Sequence, residues 1–171
     1  IHSIQLYLTD EALFEKLYLN PALSLEICHS VFNDDNTKSI VIGSSLPQYD
    51  GISFQMPDNK YIYNGQAALV DGLEMSPELL IKIARRYLFS PELRGVRSPF
   101  GICSGALIQN VFRFFGIQLP RFPHEQFLLG EIVDFAEFAQ EGDLLFCEDK
   151  EGHIHHVGII AGEKKIIHVY G

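Results

Sequence analysis

The feature that most constrains the fold is a change of hydrophobic period near Val70-Asp71-Gly72. Before it, over residues 23–69, short β-branched and aromatic segments such as Ile40-Val41-Ile42, Ile52-Ser53-Phe54 and Tyr61-Ile62-Tyr63 alternate with turn compositions such as Asn33-Asp34-Asp35-Asn36, Gln48-Tyr49-Asp50-Gly51 and Pro57-Asp58-Asn59. That pattern predicts strands separated by tight turns. After it, Ser76-Pro77-Glu78 offers a cap, a proline at the first helical position and an acid, and Leu79, Leu80, Ile83, Ala84, Tyr87 and Leu88 follow at helical spacing. Two periods in one chain predict two domains. The first, over 1–74, reads as a small barrel of about five strands behind a short helix begun by Thr9-Asp10-Glu11. The second, over 75–171, is α+β.

Within the second domain a loop with Gly and Pro runs over 89–102, and a helix is expected over 103–115, burying Leu107, Ile108, Val111 and Phe112 and ending at Gly116. Residues 119–141 mix prolines, a short helical stretch near 125–129 and an acidic-aromatic run. Beyond them, 143–148, 154–161 and 165–170 read as three strands of an antiparallel meander, joined by Asp149-Lys150-Glu151-Gly152 and Gly162-Glu163-Lys164.

With 171 residues, 47% of them hydrophobic, the chain can bury a sizeable core. Its net charge of -9 argues against a nucleic-acid partner, because no basic track is available to neutralise phosphates. No apolar run reaches the roughly 20 residues of a membrane span. The start, Ile1-His2-Ser3-Ile4, lacks the basic-then-apolar pattern of a leader, which is compatible with one removed earlier. Three cysteines, Cys28, Cys103 and Cys147, leave at least one thiol free and do not form a CxxC knuckle.

Cys103-Ser104-Gly105 stands immediately before an amphipathic run, so Cys103 is expected on the first turn of a helix. Helix N-termini favour anions, and a thiol attacks as thiolate. Small residues at 104 and 105 are expected to let a substrate carbonyl approach, with the Cys103 backbone N–H available to an oxyanion. Histidine is the base suited to neutral pH, and the strand region supplies His153, His155, His156 and His168. By strand alternation His156 shares a face with Gly158 and Ile160, while His155 points the other way. His168, on the next strand, can lie beside His156 and orient its far ring nitrogen. His153-Ile154-His155-His156 with Cys147 does not fix four zinc ligands, so no metal is expected. Cys147 and Cys28 read as packing residues, and His153 and His155 as turn and surface residues.

Tyr87-Leu88, Pro91, Gly95, Ser98-Pro99, Gly101, Cys103-Ser104-Gly105, Leu119-Pro120-Arg121, Gly142-Asp143-Leu144, His156-Val157-Gly158-Ile159 and Ile167-His168 together resemble the catalytic domain of NlpC-type peptidases. These are papain-like bacterial enzymes that cut murein peptides. The resemblance covers about residues 75–171. It implies Cys103 as nucleophile, His156 as base, His168 as the third catalytic residue and no cofactor. The preceding strands resemble, on their spacing and on Ser44-Leu46-Pro47 with Tyr49, a bacterial SH3-like domain. Proteins of that two-part type cleave between γ-D-glutamate and a diamino acid, which makes murein peptides the implied substrate and partner and the bacterial cell envelope the implied location, with cytoplasmic peptide recycling as the alternative. Ser104, Glu92, Tyr49, Asp50 and His155 are the expected substrate-binding residues.

The chain departs from the family at Ile102, where Asp usually precedes the cysteine, at Glu92 in place of an aromatic, and at Arg94 in place of Trp. A carboxylate at 92 facing the site would disfavour a thiolate. Ile102 cannot pair with a substrate amine, so discrimination for a free N-terminus is expected to weaken unless Asp50 supplies the charge. The rival reading is a noncatalytic wall-peptide binder that keeps the fold. The chain stops at Gly171, where the resemblance leads one to expect a further strand, as in a shortened or partial member.

Overall fold

A computed structural model describes residues 11–18, 21–57, 59–162 and 164–170. The chain divides into two compact units, Ile1–Gly72 and Leu73–Gly171.

Among the described residues of the first unit α1 (Glu11–Tyr18) is followed by seven short strands: β1 (Ala22–Ser24), β2 (Cys28–Phe32), β3 (Thr37–Val41), β4 (Ser45–Leu46), β5 (Ser53–Gln55), β6 (Lys60–Ile62) and β7 (Ala67–Leu69). The expected helix cap at Thr9-Asp10 lies outside the described residues. The strands form two antiparallel sheets, in the orders β4-β1-β7 and β3-β2-β6-β5. The expectation of about five strands is therefore corrected. Strands of two or three residues, such as β1, β4 and β7, are too short to display an alternation in sequence. Asn33 sets the β2–β3 turn, its side-chain oxygen accepting from the Asp35 and Asn36 amides at 3.0 and 2.8 Å. Ala22, Val31, Leu46, Phe54, Tyr61 and Tyr63 form the core.

Cys28 is exposed, which corrects its assignment to packing. On β2 it shares a parity with the exposed Phe32, while Val31, on the opposite parity, faces the core.

In the second unit Ser76 caps α2 (Pro77–Ala84), its hydroxyl accepting from the Leu79 amide at 3.3 Å. Two short strands, β8 (Arg97–Ser98) and β9 (Gly101–Ile102), lead into α3 (Ser104–Arg113). That helix ends at Arg113, short of the expected 115, and the turn after it closes on Gly116, whose φ of 74° is a conformation that costs glycine nothing. After α4 (Pro123–Phe127) come β10 (Leu144–Glu148), β11 (Ile154–Ile160) and β12 (Ile166–His168), an antiparallel meander with a bulge at Cys147/Glu148. Leu80 and Ile83 of α2, Leu107, Ile108 and Val111 of α3, and Val157, Ile159 and Ile167 of the sheet are all buried. Each such side chain contributes about 1.5–3 kcal/mol on burial. The unit is thus a mixed fold in which α3 packs on one face of an antiparallel sheet, and Val157 and Ile159 are spent on that packing. Their neighbours His156 and Gly158 fall on the opposite parity.

Candidate active site

Cys103 occupies the N-cap of α3, one residue ahead of the expected first turn, with extended backbone (φ -113°, ψ 162°). Its carbonyl accepts the Leu107 amide at 3.0 Å, which makes it the residue on which the helix begins. The amides of the first turn have no partner within the helix and remain available to developing negative charge. The thiol is half-buried and is not part of a disulfide.

The segment before Cys103 is held from both sides. Ile102, 1% exposed, donates its amide to the Pro91 carbonyl and accepts the Leu93 amide, both at 3.0 Å. Glu92 is thereby bridged in parallel to Ile102, next to the candidate nucleophile.

His156 and His168 meet on the sheet. The register pairs Cys147 with His156 and Gly158 with His168, so the two histidines are diagonal neighbours on one face. His156 Nε2 and His168 Nδ1 are 3.3 Å apart, and the rings meet edge to face at 81°. His156 has a pKa below the usual histidine value. Partial burial is the main cause, the charges of His168 and His155 push the same way, and the carboxylate of Glu92 pushes upward. Glu92 thus links the Cys103 loop to the His156 strand electrostatically. With Nε2 engaged by His168, Nδ1 is the nitrogen left to exchange a proton.

A cavity of about 350 Å3 adjoins the pair, lined by Leu145, Cys147, His155, Ile166 and Tyr170 together with the two histidines. A larger one, about 810 Å3, is lined by residues such as Leu80, Phe112, Phe127, Ile132 and Phe146 and contains neither a cysteine nor a histidine. Size alone would therefore point away from the side chains able to do this chemistry. Among the described residues no cluster of three or more His, Cys, Asp or Glu is arranged to hold a metal ion.

The expected site residues fall into two groups. Cys103, Ser104, Glu92, His155, His156 and His168 belong to the second unit, and Tyr49 and Asp50 to the first. Ser104 is 6% exposed. His155 is exposed yet lines the small cavity beside His156. Tyr49 donates its hydroxyl to the Gly51 carbonyl at 2.8 Å. Asp50 accepts from the amides of Ile52 and Ser53, the Ser53 hydroxyl and the Lys60 ammonium at 2.8–3.1 Å, and these bonds hold its carboxyl well below the usual range.

Gly105 leaves room for another part of the chain. A Cβ there would lie 2.5 Å from the Arg121 carbonyl oxygen and 3.0 Å from Pro123 Cδ. Its own carbonyl accepts from Gln126 Nε2 at 2.8 Å. The missing side chain seats the 121–126 segment against α3. Cys147, expected as a packing residue, is half-buried on β10. It lies directly opposite His156, a placement that strand parity alone, without the register, could not supply.

Residues 93–171 match the model of the NlpC/P60 family. The second unit therefore carries an NlpC/P60 family domain. Over 111 residues the chain is 30% identical to a gamma-D-glutamyl-L-lysine dipeptidyl-peptidase of Bacillus subtilis, a match covering 64% of the chain and 37% of that relative. The chain spans little more than a third of the length of this curated relative. A crystal structure of an NlpC/P60 family protein from Bacillus cereus superposes with a TM-score of 0.78 at 22% identity, covering 93% of this chain and 57% of that one. The NlpC/P60 domain of the peptidoglycan hydrolase SagA superposes with a TM-score of 0.51 at 23% identity, covering 57% of this chain and 82% of that one. At these identities the two structures establish likeness of fold.

Proposed function

We propose that the protein is a cysteine peptidase that hydrolyses an amide bond in murein peptides, between γ-D-glutamate and a diamino acid. The observation that carries this reading is the 3.3 Å contact of His156 with His168 in a unit whose α3 starts on Cys103. The name of the Bacillus subtilis relative supports the substrate class.

In this mechanism Cys103 gives its proton to His156 and the thiolate attacks the amide carbon. The oxyanion is met by amides at the start of α3. His156 returns the proton to the leaving amine as the C–N bond breaks, leaving a thioester. Water then gives a proton to His156 and its hydroxide to the acyl carbon, the thiolate leaves, and the proton goes back to sulfur. His168 holds the ring of His156 throughout. Glu92, Ser104 and His155 border the substrate.

The first unit is an SH3-like domain in this reading, contributing Tyr49 and Asp50 to substrate binding, and 1–74 and 75–171 are the two domains. The site of action is the bacterial cell envelope. No helix among the described residues is long and apolar enough to cross a membrane.

The test is incubation with an L-alanyl-γ-D-glutamyl-diamino acid tripeptide and identification of products by mass spectrometry. Cleavage after the D-glutamyl residue, absent in a folded Cys103→Ala variant, is the expected result. Undiminished turnover by that variant would falsify the nucleophile. A folded parent protein that binds the tripeptide without cutting it is instead a wall-peptide binder.

A further inference from the structure

We propose that Gly158 is a positioning residue, whose missing side chain lets β12 approach closely enough for His168 to hold His156. This inference rests on the proposed role of His168.

Gly158 is buried in the middle of β11 and lies directly across from His168 in the β11–β12 register. Its φ is not positive, so the strand could accept an L-residue there on conformational grounds. Space is what forbids one. A Cβ at 158 would sit 2.6 Å from Ile166 Cγ2, 3.0 Å from His168 Cβ and 3.1 Å from the Ile167 carbonyl oxygen. The first is the Cβ-attached methyl of a β-branched side chain that is 41% exposed, and it gives way by a change of χ1. The other two are a backbone atom and the first side-chain atom of β12, and they yield only if the strand itself moves.

That movement has a specific consequence. The contact between His156 and His168 is already 3.3 Å long. A few tenths of an ångström more brings it to about 3.6 Å, where a side-chain hydrogen bond no longer exists. His168 is exposed, so little packing fixes its ring. The approach of the two strands is what places it, and glycine at 158 is what permits the approach. Without that bond His156 is free to rotate, and its proton transfer loses its geometry.

The experiment is a kinetic double-mutant cycle on the tripeptide with the parent, Gly158→Ala, His168→Ala and the double variant, with NMR titration of His156 beside it. Gly158→Ala is expected to lower kcat about 10- to 100-fold, as a displacement of this kind does, with KM little changed. In the His168→Ala background the same substitution should cost less than about twofold, since coupled residues are non-additive. The His156 midpoint should rise in Gly158→Ala as the charge of His168 moves away. Equal losses in both backgrounds, or full turnover by Gly158→Ala, would overturn the proposal while leaving the role of His168 intact. Full turnover by His168→Ala overturns that role itself. Should Gly158→Ala fail to fold, Gly158→Ala/Ile166→Ala removes the nearest atom and keeps the clash with His168, and the cycle is run on that pair with the same expectations.

Discussion

Cys147 stands directly opposite His156 across the β10–β11 ladder, so a second thiol borders the cavity that holds the histidine pair. Opposite residues in such a ladder have Cβ atoms about 4.5–5.5 Å apart. A small side chain at 147 leaves the His156 ring where it is. Cys147→Ala is therefore expected to keep turnover within a few-fold of the parent. Cys147→Phe adds a ring that competes for the same space, and a displacement of about 1 Å can cost about 100-fold. Steady-state rates for the two variants check this. Equal rates for both would show that position 147 does not bear on His156.

The two histidines are expected to differ in what they cost when removed. His156→Ala deletes the group that moves the proton, a contribution typically of about 100- to 10,000-fold. His168→Ala leaves that group in place and only loosens it, so its loss should be much smaller. Single-turnover rates on the tripeptide measure both. Equal losses would mean that the two roles are exchanged or shared.

Gly105→Ala sets two effects against each other. Alanine in a helix is worth about 1 kcal/mol over glycine. The added Cβ, however, meets a backbone oxygen of Arg121 at 2.5 Å, and backbone gives way less readily than a side chain. Overpacking of this sort costs about 1–3 kcal/mol. Net destabilisation is the expected outcome, read as a lower urea midpoint with an unchanged slope. A higher midpoint would show that the 121–126 segment moves freely away from α3.

Much of the second unit was legible because its signals are local. Ser76 before Pro77, and Cys103 before an amphipathic run, mark helix starts through the needs of unpaired amides, and both helices begin within a residue of where those signals stand. The meander was legible from period and turn composition. The pairing of residues 91–93 with Ile102 was not, because a single bridge and strands of two residues carry no periodicity. The same holds for the seven strands of the first unit, which sequence reading merged into about five. Gly105 and Gly158 were readable as small residues only. What each leaves room for is a tertiary fact, set by Arg121 in one case and by β12 in the other.

The last prediction concerns the charge around His156. Its pKa is lowered first by burial and then by the positive charges of His168 and His155, and it is raised by Glu92. In a Cys103→Ala background, which removes turnover, NMR titration of the His156 ring should therefore give a midpoint below the ordinary value of about 6.5. Glu92→Gln removes an anion that favours the imidazolium, so the midpoint should fall further. His155→Ala removes a cation that opposes it, so the midpoint should rise. Glu92→Gln keeps the size of the side chain, so that variant should stay on the low side of the ordinary value. The opposite direction for Glu92→Gln would show that the carboxylate does not act on His156 at all, and would sever the electrostatic link between the Cys103 loop and the histidine strand. Should the midpoint move as expected, the anion at 92 is a device that keeps His156 protonated over more of the neutral range. In the enzyme a higher midpoint makes His156 a stronger acceptor for the thiol proton and its imidazolium a weaker donor to the leaving amine.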